Sequence, residues 1–395
     1  MRILLFTGKG GVGKTTTAAA TAALAASSGL RTLVLSTDPA HSLGDALGVS
    51  LGGEPTEIAA LLYGQQVDAQ QRFEKSWAEI SGYLSTLLDA SGVDPLEAEE
   101  LAVLPGAEEI LALLEVRAQV LSGRFDVVIV DCAPTAETLR LLALPEALNW
   151  YMERVFPSGR RLTRVMRPVL TRVSGGMPMP RDSVFSAIER LHGDLKEVRA
   201  MLTDRDSASV RLVLTPEAVV VAEARRTLTS LSLYGYRVDA VIANRLMPSG
   251  GGDSWRESWV AAQSKQMQAV NESFAPLPIL IGPYQPSEPV GIASLLEHAA
   301  MLYGDTDPVA VPTSREPMTV DRVSEGYDLR LALPLADPAN VDLRRKGDDL
   351  VVTVGSHRRV LSLPVALRKC TISAANFSDG DLVVRFDAEL AGLTR

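Results

Sequence analysis

The stretch Gly8-Lys9-Gly10-Gly11-Val12-Gly13-Lys14-Thr15 has the residue types and spacing of a phosphate cradle. Glycines remove the Cβ atoms that would keep backbone N–H groups from converging on phosphate oxygens. The Lys14 ammonium is spaced to reach the β- and γ-phosphates of a nucleoside triphosphate, and the Thr15 hydroxyl to hold Mg2+. Thr16 completes this candidate nucleotide site. The apolar run Arg2–Thr7 precedes the loop as a strand, and the alanine-rich run Lys14–Ser27 follows it as a helix. That context is what the Walker A pattern requires, because the helix turns its positive end toward the same anion. A glycine-rich turn without a ligand is the plainer alternative and fits less well.

Two carboxylates stand where the chemistry needs them. A strand at Thr32–Ser36 runs into Thr37-Asp38-Pro39-Ala40-His41-Ser42. A carboxylate at that strand's C-terminal end lies beside the γ-phosphate in a doubly wound sheet, so Asp38 is placed to orient or deprotonate the attacking water. His41 fits a local cap better than a metal ligand. The run Val127–Asp131 is apolar on both faces, as a central strand is, and ends on Asp131. Asp131 is the candidate Mg2+ carboxylate, acting through a water. Cys132 is either a reactive thiol or a small buried residue beside the metal strand, and the second fits better. Lys9 is a second lysine early in the loop. It is either a solvated cation near the phosphates or an added charge that stabilises the transferring phosphoryl group.

These residues need a parallel sheet to hold them. Strands are expected at Arg2–Thr7, Thr32–Ser36, Val127–Asp131, Val210–Thr215, Val238–Asn244 and Pro278–Ile281, with helices such as Lys14–Ser27, Asp68–Asp89 and Ala107–Leu121 between them. Alternation of short apolar runs with helical patterns predicts an α/β fold, a doubly wound, mostly parallel P-loop sheet. The expected ATPase domain covers 1–303. From about 144 to 204 a helical insert interrupts the alternation, with Met177 and Met179 in a glycine- and proline-rich turn. It is either a solvated helical hairpin or an adaptable apolar surface. Residues 304–317 read as a linker. Residues 318–395 read as a small all-β sandwich, with strands at Tyr327–Leu333, Val341–Lys346, Asp349–Val354, Arg358–Leu363 and Leu382–Asp387.

Composition narrows the classes. The chain has 395 residues, a net charge of −9 and two cysteines, Cys132 and Cys370. An acidic balance argues against sequence-independent nucleic-acid binding. Two distant cysteines build neither a disulfide framework nor a Cys-x-x-Cys zinc site, so a cytoplasmic, reducing setting fits. No signal peptide or membrane-spanning run is expected.

The early lysine, with Lys9-Gly10-Gly11-Val12-Gly13-Lys14-Thr15, resembles the deviant Walker A of the ArsA, MinD, ParA and nitrogenase-iron-protein class. The resemblance implies that Lys9 contacts nucleotide across a homodimer interface. Over about Met1–Ala300 the motifs resemble the ArsA family, which includes arsenite-pump ATPases and the targeting factors for tail-anchored membrane proteins. Thr37-Asp38-Pro39-Ala40-His41-Ser42 looks like its switch I, which implies that Asp38 is catalytic alongside Lys9 and Lys14. Asp131-Cys132-Ala133-Pro134-Thr135 looks like its switch II. Leu104-Pro105-Gly106-Ala107-Glu108-Glu109 also fits the family pattern. The resemblance implies that Asn244 reads adenine, favouring ATP, and that Pro283 and Tyr284 flank the base. The C-terminal module resembles an α-crystallin (small heat-shock protein) domain through Ala375-Asn376-Phe377-Ser378-Asp379-Gly380-Asp381-Leu382.

Departures from the family select among its functions. Arsenite-pump members bind the metalloid through clustered cysteines, and this chain has no cluster. The stretch Met247–Ser273 lacks the Cys-x-x-Cys that bridges the eukaryotic targeting factors through zinc, so no zinc is expected. The resemblance therefore implies a zinc-free branch. Its expected function is an ATP- and Mg2+-dependent homodimer whose insert binds hydrophobic, tail-anchored-like protein segments and which meets a membrane receptor. The alternatives are an arsenite-transport ATPase subunit or another deviant Walker A switch ATPase.

Overall fold

The computed structural model describes residues 1–38, 42–67, 107–133, 182–250, 253–311, 317–324 and 326–388. They fall into two compact units. The first joins Met1–Gln66, Arg124–Leu139 and Leu202–Arg395, and the second joins Val67–Gly123 and Arg140–Met201.

An eight-stranded sheet forms the centre of the first unit. Its strands are β1 (Arg2–Thr7), β2 (Thr32–Ser36), β3 (Thr56–Ala59), β4 (Leu62–Gln66), β5 (Val127–Asp131), β6 (Ala208–Leu214), β7 (Val238–Leu246) and β8 (Ile279–Pro283). The order is β3-β4-β2-β5-β1-β6-β7-β8, parallel throughout except for β3, which runs antiparallel to β4. Every residue of β1, β2, β5 and β6 is buried, which is why β1, β2 and β5 read as near-continuous apolar runs rather than alternating ones, while β6 buries Ser209 and Arg211 among its apolar residues. β1 lies between β5 and β6, so the chain leaves β1 through the phosphate loop into helix α1 (Lys14–Ser27) and returns beyond β5 as β2. A crevice at such a strand-order switch is where open parallel sheets bind ligands. The alanines of α1, Ala18 to Ala20 among them, are fully buried, so the helix lies close to its neighbours.

β3 and β4 were not expected. They are four and five residues long, and Leu-Tyr-Gly-Gln-Gln has no β-branched residue to mark a strand. The other strands agree with expectation within two residues at either end. Further helices are α2 (Ser42–Leu47), α3 (Ala107–Leu121), α4 (Asp182–Leu202), α5 (Ala218–Tyr234), α6 (Ser254–Phe274) and α7 (Ile292–Tyr303). The expected helix Asp68–Asp89 and the methionine turn of the insert lie outside the described residues.

In the second unit, Arg117 of α3 pairs with Glu197 of α4 at 2.6 Å and with Asp194 at 3.1 Å. Leu195 and Val198 are buried at helical spacing on α4.

The C-terminal residues fold as two antiparallel sheets. One is β14-β15-β10-β9, built from β9 (Met318–Val323), β10 (Gly326–Ala332), β14 (Cys370–Ser378) and β15 (Asp381–Ala388). The other is β11-β12-β13, built from β11 (Val341–Lys346), β12 (Asp349–Val354) and β13 (His357–Ser362). β9 and β14 were not expected. β14 exposes most of its residues and so lacks the alternation that marks a half-buried strand. Leu331, Leu350, Val384 and Phe386 form the core, and Leu233 of α5 is packed into it. Arg359 donates to the Leu233 carbonyl, capping the C-terminal end of α5, and Thr229 donates to the Pro334 carbonyl at 2.6 Å.

Candidate functional site

The phosphate loop owes its shape to close backbone approaches. A Cβ at Gly8 would stand 2.1 Å from the Val213 carbonyl oxygen of β6, which no side chain tolerates. Gly13 has φ +94°, and a Cβ there would meet the Asn244 amide nitrogen at 2.3 Å. Gly13 caps α1 without a side-chain hydrogen bond, so no side chain of the cap position occupies the first N–H groups of the helix. Lys14 is buried, and its Nζ donates to the Lys9 carbonyl at 3.3 Å across the loop. Lys9 is half-buried, while Gly10 and Gly11 are exposed. Val12 is buried, and Thr15 and Thr16 are half-buried on the first turn of α1.

The two carboxylates stand side by side because β2 and β5 pair in register, Ser36 opposite Asp131. The Ser36 hydroxyl donates to Asp131 Oδ2 at 3.2 Å and accepts from the Asp38 N–H at 3.2 Å. The Thr37 N–H donates to the Asp131 carbonyl at 3.0 Å, so the chain leaving β2 is tied to β5. Gln66 Nε2 holds the Asp38 carbonyl at 2.9 Å from the end of β4. Asp131 is fully buried, and burial pushes its carboxyl up to about 7. The Thr15 hydroxyl and the Lys14 charge pull it down, and the Asp38 charge pushes it up again.

This donor set fits Mg2+. Among the described residues, Asp131 Oδ1 is buried with no hydrogen-bond partner. Beside it, the Thr15 hydroxyl lies 3.1 Å from that of Ser42 at the start of α2. One carboxylate with hydroxyls and water is the hard-oxygen environment Mg2+ favours, and a cation there removes the cost of burying the charge.

A model of the anion-transporting ATPases, ArsA, matches residues 1–304, more than half of the chain. The chain belongs to the ArsA family. The HSP20-like domain found in ArsA proteins matches residues 324–386. A relative in Chlorobaculum tepidum that carries the name of an arsenical pump-driving ATPase is 37% identical over 394 residues, 99% of this chain and 97% of its own. One of the same designation in Aquifex aeolicus is 34% identical over 394 residues, 97% of this chain and 99% of its own. An uncharacterised protein of Streptomyces coelicolor is 38% identical over 395 residues, 99% of each chain. Both features anticipated by resemblance, the ArsA-like ATPase and the small heat-shock-like module, are therefore present, and the protein is an ATPase.

In this ArsA-family site the fold brings together the loop residues Gly8 to Thr16 with Asp38, Asp131 and Asn244. Asn244 is buried at the end of β7, and its Nδ2 donates to the Val12 carbonyl at 2.9 Å. Gly13 and Gly282 leave room for its amide, since a Cβ at Gly282 would lie 2.5 Å from Oδ1. The Asn244 amide, expected to read adenine, thus has one N–H engaged with the loop. Pro283 ends β8, and Tyr284 is 51% exposed with its N–H on the Leu246 carbonyl at 2.7 Å. His298 Nδ1 and Gln285 Nε2 stand 2.8 Å apart beneath that turn. Burial holds the His298 ring below its ordinary pKa.

Sequence reasoning singled out neither Ser36, Ser42, Gln66 nor Arg245 as site residues. The two serines lay in plain view beside Asp38, but serine is too common to signal a ligand by itself. Gln66 carried no signal because its strand was not recognised. Cys132 is buried, and burial drives its thiol far above the usual range, so it is a packing residue. His41 lies outside the described residues.

Proposed function

We propose that this ATPase works as a Mg2+-dependent homodimer that binds and releases hydrophobic membrane-protein segments. The loop N–H groups and Lys14 hold the β- and γ-phosphates. Asp38 takes a proton from the attacking water. Thr15 and Asp131 would hold Mg2+, which would neutralise charge on the phosphates. Lys9 of one copy reaches the nucleotide of the other, tying hydrolysis to dimer state. Asn244, Pro283 and Tyr284 receive the adenine, and the insert supplies the apolar surface that a client covers.

The observation that carries the client reading is the state of the cysteines. The chain has two, and both are buried, Cys132 beside the nucleotide site and Cys370 in the C-terminal core. Soft arsenite needs accessible, clustered thiolates, and these two cannot supply them. The second reading, a metalloid-pump ATPase, draws on the designation its relatives in Chlorobaculum tepidum and Aquifex aeolicus carry.

One experiment separates the readings. Turnover is measured with and without arsenite, and the purified protein is assayed for capture of a transmembrane segment. The client reading expects no arsenite stimulation and capture that depends on nucleotide. Strong stimulation by arsenite without capture overturns it.

A further inference from the structure

The end of β7 grips the phosphate loop twice. Asn244 Nδ2 donates to the Val12 carbonyl at 2.9 Å, and Arg245 Nη1 donates to the Gly11 carbonyl at 2.8 Å. Two adjacent side chains thus hold two adjacent carbonyls. In a trans peptide the C=O and N–H point in opposite directions. Pulling the Gly11 and Val12 carbonyls toward β7 therefore turns the Val12 and Gly13 N–H groups away from it, into the loop where a phosphate sits. Gly11 and Gly13, at φ +80° and +94°, supply the backbone freedom for this arrangement.

Arg245 does this from a costly conformation. Its φ is +59°, in the left-handed region that a long side chain seldom adopts. The β7–β8 pairing shifts register between Ala243 and Leu246, so the chain bulges at this point. One buried side chain of α6 fixes the bulge. Gln263 Nε2 donates to the Arg245 carbonyl at 3.1 Å, and its Oε1 accepts from the Met247 N–H at 2.7 Å. Strain held in place by a dedicated neighbour is found at functional sites. An ordinary surface arginine needs neither the bulge nor the glutamine.

We propose that Arg245 is a positioning residue for nucleotide, and Gln263 its support. The guanidinium fixes the Gly11 peptide so that the loop is shaped for phosphate before the ligand arrives. This inference rests on the ATPase reading of the same loop and adds to it the device that presets the loop.

The test compares Arg245→Gly, Arg245→Ala and Arg245→Lys with the wild type. Binding of a fluorescent ADP derivative without metal is read alongside ATP turnover and the melting temperature of the free protein. Glycine accepts the left-handed backbone, so Arg245→Gly keeps the wild-type melting temperature while losing the guanidinium. Its ADP dissociation constant and its KM are expected to rise about tenfold, the size of one charge-assisted hydrogen bond. The kcat is expected to stay within about twofold. Arg245→Lys should recover part of the affinity through its single ammonium, and Arg245→Ala, whose Cβ meets the same backbone cost as that of arginine, should lose affinity as Arg245→Gly does. Wild-type affinity and KM in Arg245→Gly overturn the inference while leaving the ATPase reading intact. A wild-type protein that binds no nucleotide overturns both.

Discussion

The hydroxyls of Thr15 and Ser42 meet 3.1 Å apart, the first on the opening turn of α1 and the second at the start of α2. The phosphate loop and the segment after Asp38 are thereby joined at the place where a metal ion would sit.

That contact sets the Ser42 hydroxyl beside Thr15, where it would help to position Mg2+ in the proposed site. Ser42→Ala is expected to raise the Mg2+ concentration for half-maximal ATP turnover by tenfold or more, on the order of the 10- to 100-fold effects seen for groups around a metal. Binding of metal-free ADP should stay near wild type. A Mg2+ titration of turnover decides the point, and an unchanged midpoint would remove Ser42 from the site.

Asp131 gives a stability prediction with a sign. Its native-state pKa of about 7 lies above the ordinary 3.8, so the folded chain holds this proton more tightly than the unfolded chain does. As pH rises from about 4 to about 7, the unfolded chain releases the proton first, and native stability falls by on the order of 4 kcal/mol. Asp131→Asn removes the buried charge. The metal-free variant should melt higher than wild type at pH 8, and the gain should shrink toward pH 4. The same variant should lose Mg2+-dependent turnover. Lower stability at pH 8 would show that the carboxylate is satisfied without metal.

Leu233 ties the two folded parts of the first unit together. It belongs to α5, is 2% exposed, and lies in the core of the C-terminal sheets. Leu233→Ala should lower the unfolding free energy by about 2–4 kcal/mol, the cost of a core leucine deletion. ATP turnover under native conditions should be unchanged because the phosphate loop is not touched. Urea denaturation followed by circular dichroism measures the loss. A change below about 1 kcal/mol would mean that the C-terminal core closes without it.

Much of this was legible in the sequence, for identifiable reasons. β1, β2 and β5 are buried on both faces, so they stand out as apolar runs, and their bounds agree with expectation to the residue. The phosphate loop was legible because Gly8 and Gly13 have no substitute, as their close approaches to the Val213 carbonyl and the Asn244 amide show. β4 was hidden because Leu62–Gln66 has no β-branched residue and ends on the polar pair Gln65-Gln66, which lies beside Leu35 and Ser36 of β2. Gln66 was hidden with that strand, although it holds the Asp38 carbonyl. Arg245 was hidden for another reason. Its significance lies in a backbone angle and a bulge, and neither follows from residue type.

Asp38, whose backbone is held by Ser36 and Gln66, is proposed to drive water attack on ATP. The most direct measurement is paired ATP binding and single-turnover hydrolysis of Asp38→Asn and wild type with Mg2+. Asp38→Asn should keep wild-type nucleotide affinity with hydrolysis slowed by at least about 100-fold, the usual scale for losing a general base. Hydrolysis within a few-fold of wild type would contradict it.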